Sequence, residues 1–127
     1  MVSAEEKLRA AFHLLEHALG VQIVDIELLL ELGRIKTGLK DGTIVYVQYN
    51  DYGEYSYIIQ FSYVSKDSYR FDNYDTTWSV QSMPHHFHPR NLDEGFQSPM
   101  TGIPEHDIPL LCSLIISGSL KDEQFRL

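Results

Sequence analysis

The sequence predicts an α+β fold: an N-terminal helix, a four-stranded antiparallel β-meander, a long histidine-containing loop and a C-terminal helix. Three observations carry that prediction. Residues 4–19 have a capping box followed by apolar residues at helical spacing. Within residues 24–72 successive runs alternate apolar and polar side chains with period two, and the tyrosines concentrate between Tyr46 and Tyr74. Between two of these alternating runs lies Asp41-Gly42, a dipeptide suited to a hairpin turn. At 127 residues the chain is expected to form one domain over 1–127.

In Ser3-Ala4-Glu5-Glu6 the Ser3 hydroxyl can accept the Glu6 N–H while the Glu6 carboxylate reaches back to the Ser3 N–H. Leu8, Ala11, Phe12, Leu15, Ala18 and Leu19 then share one helical face, and Gly20 supplies the stop. A helix over 4–19 follows. Val24, Ile26, Leu28, Leu30 and Leu32 alternate with polar residues, and the apolar phase flips at Gly33 to Ile35, Thr37 and Leu39. One long strand bent at Gly33 is expected, opening a sheet over about 21–73.

A two-residue Asp41-Gly42 turn would pair Leu39 with Ile44, Thr37 with Tyr46 and Ile35 with Gln48. It would set Arg34, Lys36 and Lys40 beside Val45, Val47 and Tyr49. The third strand runs from Tyr55 to Val64, with Tyr55, Tyr57, Ile59, Phe61 and Tyr63 on one face. A turn at Ser65-Lys66-Asp67 leads to the fourth, Ser68 to Asp72, with Tyr63 expected opposite Tyr69 and Phe61 opposite Phe71. Residues 74–101 show no clear period and read as a functional loop. A last helix is expected over about 108–117, with Asp107 as N-cap and Gly118 as stop, then a polar tail over 119–127.

Composition narrows the function. A net charge of -8 with no basic segment excludes non-specific coating of nucleic acid, so any RNA contact needs a local cationic patch. Cys112 is the single cysteine, which excludes an intramolecular disulfide and a cysteine metal framework. It reads as a small core residue. His13 and His17 are spaced i, i+4, yet with Glu16 and Arg9 nearby they read as a solvated face. The sequence shows neither a secretory leader nor an apolar run of bilayer length, and a cytoplasmic protein without a membrane partner is expected.

Chemistry concentrates in Pro84-His85-His86-Phe87-His88-Pro89. The prolines favour extended backbone, which projects His86 and His88 to one side and His85 to the other. One reading is metal-free acid–base catalysis on RNA. It needs a base for the 2′-hydroxyl, an acid for the leaving oxygen and a cation for the phosphate. His85, His86, His88 and Arg70 are of the right types, with Asp72 to orient an imidazole. No cofactor is required. The alternative is a divalent metal such as zinc on His86 and His88, with Asp72, or else His106, as third ligand.

Tyr69-Arg70-Phe71-Asp72-Asn73 followed by Pro84-His85-His86-Phe87-His88 resembles the TumE-type family of toxin–antitoxin proteins. The resemblance covers about residues 33–118. Phe71 and Phe87 depart from that family, which usually has Trp and Lys there. It implies a small toxin encoded beside a DNA-binding antitoxin and acting on RNA, with Arg70, Asp72, Asn73, His85, His86 and His88 as the positions carried over. Asn73, Arg90 and Trp78 are candidate substrate-binding residues. The expected partners are a cognate antitoxin protein and RNA. A further alternative is a non-catalytic module that docks another chain, or a second copy as a homodimer, through its tyrosine face.

Overall fold

The computed structural model describes residues 2–74 and 80–127. Helix α1 spans Ala4–Leu19, with Ser3 as N-cap and both halves of the capping box formed. It buries Leu8, Ala11, Leu15 and Leu19, the face its spacing predicts. The N–H of Gly20, the C-cap residue, donates to the Glu16 carbonyl, after which a short 3-10 turn leads into the sheet.

The strands are β1 Ile23–Leu29, β2 Arg34–Leu39, β3 Ile44–Tyr49, β4 Tyr55–Gln60, β5 Ser68–Asp72, β6 His86–His88 and β7 Phe96–Gln97. They form one antiparallel sheet whose spatial order is chain order. The α+β class holds, and the expected four strands are seven. One correction comes from Gly33. At φ 66° it follows a 3-10 turn over Leu30–Leu32 and splits the expected bent strand into β1 and β2. The other comes from the segment 74–101, which contributes β6 and β7.

Two registers also differ from expectation. β2 and β3 pair Ile35 with Val47 and Thr37 with Val45, one residue away from the predicted partners. The Leu39 N–H donates to the Thr43 carbonyl, leaving a three-residue loop in which Gly42 takes φ 90°. Only this pairing puts Ile35, Thr37 and Leu39 on the same buried face as Val45, Val47 and Tyr49. Arg34 and Lys36 therefore share the opposite face with Ile44, Tyr46 and Gln48, not with the valines. β4 ends at Gln60, and Ile59, not Tyr63, stands opposite Tyr69. The chain leaves the sheet where the Phe61 N–H meets the Asp67 carbonyl, and Tyr63 points fully into solvent. That offset is an even number of residues, so the faces are unchanged.

Helix α2 spans Pro104–Ser117 with Ile103 as N-cap, so Asp107 lies inside the helix and is not its cap. Its buried carboxylate accepts the Thr101 and Gly102 N–H groups and the Tyr57 hydroxyl, the last at 2.7 Å. Both helices cover one face of the sheet. Tyr55 and Tyr57, expected on an exposed docking face, are fully buried beneath them. Buried tyrosines need partners for their hydroxyls: Tyr49 meets Tyr57 at 2.9 Å, and Tyr69 donates to the Asp122 carbonyl. Burial pushes the Tyr49, Tyr55 and Tyr57 phenols up and the Cys112 thiol up to about 12. The residues after Gly118, expected as a polar tail, form a 3-10 turn over Ser119–Lys121 and bury Leu120.

Candidate functional site

The other face of the sheet carries the candidate site. Among the described residues no helix packs on it, and its side chains come from alternate positions of each strand. The strand registers align these positions into cross-strand rows. One row runs Glu27, Lys36, Tyr46, Ile58, Arg70, His88, each residue directly opposite the next. The neighbouring row runs Gln48, Ser56, Asp72, His86, Gln97. Arg70, Asp72, His86 and His88, separated by a loop in sequence, thus become a two-by-two block on β5 and β6. The His86 and His88 rings share that face, with centroids 6.4 Å apart.

Asp72 is buried within the block. Its Oδ2 accepts the Arg70 Nε–H at 2.7 Å, while Oδ1 lies 3.9 Å from His88 Nε2. His88 Nδ1 is 3.0 Å from the Asp93 carbonyl oxygen. A carbonyl only accepts, so Nδ1 carries the proton and Nε2 is the basic nitrogen of the neutral ring. Desolvation, followed by the neighbouring Arg70 charge, holds the His88 imidazole below its usual range. Asp72 and the Asp93 carbonyl act in the opposite direction, and His86 adds to the lowering. Arg70 has a half-exposed side chain, whereas His86 has no exposed surface.

Beside this block is a cleft of about 300 Å³. Ser68, Arg70 and His88 come from the strands; Ser65 and Lys66 from the β4–β5 loop and Leu92 and Asp93 from the β6–β7 loop complete it. The two loops are tied together by the Asn91 N–H to Lys66 carbonyl bond at 2.7 Å and by the Lys66–Asp93 ion pair at 2.9 Å. That ion pair also holds the Asp93 carboxyl below its usual range. The cleft is thus lined by Arg70, by Lys66 in its pair with Asp93 and by two serine hydroxyls, with the buried His88 ring in its wall, donors suited to an anion carrying several oxygens.

The remaining sequence candidates lie elsewhere. His85 stacks on Tyr55, whose hydroxyl is 2.9 Å from its Nδ1, on the side of the strand away from His86 and His88. Asn73 clips the end of β5, accepting the Tyr55 N–H and donating to the Gly53 carbonyl. Arg90 braces the two loops through Asp67, donates to the Lys121 carbonyl and lies over the Phe61 ring at 4.7 Å. It pulls the Asp67 carboxyl below its usual range. His106 bonds Asp107 at 2.8 Å, away from the block. Trp78 falls outside the described residues. Lys66, Ser68 and Asp93 were not among the sequence candidates. Ser68 had a legible signal, two positions before Arg70 on the same strand face.

Among the described residues, no three His, Cys, Asp or Glu side chains are grouped to hold a metal ion, so the set His86, His88 and Asp72 does not assemble as a ligand cage. None of the described helices is long and apolar enough to cross a membrane. No family model, curated protein or solved structure matches the chain.

Proposed function

We propose that this protein acts on RNA as the toxin of a cytoplasmic toxin–antitoxin pair, binding a backbone phosphate in the Lys66–Arg70–His88 cleft and cleaving the chain there without metal. The observation that carries the reading is the direct opposition of Arg70 and His88, with Asp72 fixing the guanidinium. A fixed arginine beside a lysine suits a phosphate, because the guanidinium offers paired N–H donors to an oxyanion. The sequence resemblance at residues 69–73 and 84–88 supports the same reading.

The chemistry assigned to the site is transesterification. His88 Nε2 takes the 2′-hydroxyl proton, the 2′ oxygen bonds phosphorus, the bond from phosphorus to the 5′ oxygen breaks, and the imidazolium returns its proton to that leaving oxygen. The products are a 2′,3′-cyclic phosphate and a 5′-hydroxyl. Arg70 and Lys66 stabilise the charge that builds on phosphorus-bound oxygens. Nε2 faces Asp72 in this structure, so the step requires the ring to turn toward the cleft. Phosphate binding is the part of the reading that the geometry supports most directly. His86, lacking exposed surface, is assigned a positioning role beside His88 in place of the acid role expected from sequence.

The test is incubation of the protein with a mixed RNA pool in chelator, beside Arg70→Lys and His88→Ala variants whose folding is checked by circular dichroism. Cleavage to cyclic-phosphate ends, lost on His88→Ala and weakened on Arg70→Lys, is expected. A pool left intact by the folded wild-type protein overturns the nuclease reading.

A further inference from the structure

The cleft opens beside a larger groove on the same face. This groove, about 790 Å³, is lined by residues that include Lys36, Ile44, Tyr46, Gln60, Tyr63 and Ser65. Ser65 borders both spaces. No acidic residue lines the groove, and the one acidic residue of the cleft, Asp93, is paired with Lys66. In a chain of net charge -8, this is a local departure from the global field. In the cross-strand row Lys36 stands between Glu27, directly opposite it on β1, and Tyr46. Arg70 lies three strands further along, with Lys66 in the adjoining loop and aromatic and aliphatic side chains between the two cationic ends.

We infer that this groove holds the single-stranded stretch of RNA that leads into the cleft, its bases against Tyr46 and Tyr63 and its phosphates toward Lys36 and Lys66. The inference rests on the proposed RNA reading and adds the form of the substrate and its path. Four strand spacings of about 4.8 Å place Lys36 and His88 roughly 19 Å apart, a span of several nucleotides. The half-buried Tyr46 ring stands between Lys36 and Ile58 in the row, with the Arg34 guanidinium 5.5 Å from its centre. Tyr63 projects wholly into solvent from the loop that separates groove from cleft. Rings interleaved with cations on an open sheet are the elements of a sequence-tolerant stacking platform. A duplex buries its base faces inside its own stack, so it offers these rings nothing to stack on.

The test is fluorescence anisotropy with a labelled 12-nucleotide RNA, single-stranded or annealed to its complement, against wild-type protein and the Tyr63→Ala, Tyr46→Ala and Lys36→Glu variants. Binding assays use chelator and short times, with cleavage of the same strand followed separately. The single strand is expected to bind at least tenfold tighter than the duplex. Tyr63→Ala and Lys36→Glu should each weaken it about tenfold, and Lys36→Glu should also flatten the salt dependence. Tyr63 is fully exposed, so its variant tests the idea even where Tyr46→Ala disturbs folding. Single-strand binding that responds to these variants without any cleavage upholds the groove and removes the nuclease reading. Cleavage with affinities unchanged in both variants upholds the nuclease and overturns the groove. Equal affinity for duplex overturns the groove. So does an absence of RNA binding together with a concentration-dependent dimer, seen by light scattering, that Tyr63→Ala abolishes.

Discussion

Asp72 and Arg70, two residues apart on one strand, form an ion pair in which the carboxylate is buried and the guanidinium half-exposed, at 2.7 Å. The pair is asymmetric: Arg70 can be hydrated without its partner, whereas Asp72 cannot. Removing the arginine therefore leaves a buried charge. Arg70→Ala should cost about 1–3 kcal/mol in denaturant unfolding, the lower end reflecting hydration of the exposed side. Adding Asp72→Asn to that variant should restore part of the loss. A double variant less stable than Arg70→Ala alone would contradict the assignment.

His88 sets a pH dependence whose sign is fixed by its surroundings. In the unfolded chain its imidazole protonates near 6.5, and in the folded chain only at lower pH. The unfolded state therefore takes up a proton first. Stability should fall as pH drops below about 6.5 and level off once the folded imidazole also protonates. His88→Gln should flatten this part of the profile, above the range where carboxylates titrate. Thermal unfolding at pH 7.5, 6.5 and 5.5 measures it, and an equal slope in the variant would refute it.

Asp107 joins α2 to β4 through Tyr57 and closes the loop before α2 through Thr101 and Gly102. Asp107→Ala leaves those buried donors without their acceptor and should cost about 3 kcal/mol. Its signature is a lower unfolding midpoint with little change in RNA affinity, because none of these groups lines the cleft or the groove.

Gly33 takes φ 66°, and a Cβ there would meet the Tyr49 carbonyl oxygen at 3.0 Å. Gly33→Ala should destabilise by about 1–2 kcal/mol. An unchanged denaturation midpoint would show that the backbone relaxes freely at this junction.

Helix α1 was legible to the residue because its cap and its apolar face lie within one short stretch of sequence. The faces of β4 and β5 were legible too, since alternation survives an even shift in pairing. The β2–β3 register was not. Asp41-Gly42 fits a two-residue turn and a three-residue loop alike, and burial of Val45 and Val47 chose between them. β6 left no periodic signal, because three residues are too few to show one. The shared side of His86 and His88 nevertheless followed from the extended backbone that the prolines impose. What sequence left open was their neighbour: placing Arg70 opposite His88 depends on a pairing that bridges residues not adjacent in the chain. Asp107 misled because an acidic residue ahead of an apolar run reads as a cap, whereas here it is drawn inward by a buried tyrosine.

The strand that supplies His86 and His88 is three residues long, and its outer neighbour β7 has two. β2, β3 and β4 each have six and are paired on both sides. Backbone amides of β6 should thus exchange with solvent deuterium well before those of β3, through openings that leave the helices and central strands intact. Warming the protein would disperse the Arg70–His88 pairing first. RNA affinity in the cleft would then decline at temperatures where the far-ultraviolet spectrum still reports a folded chain.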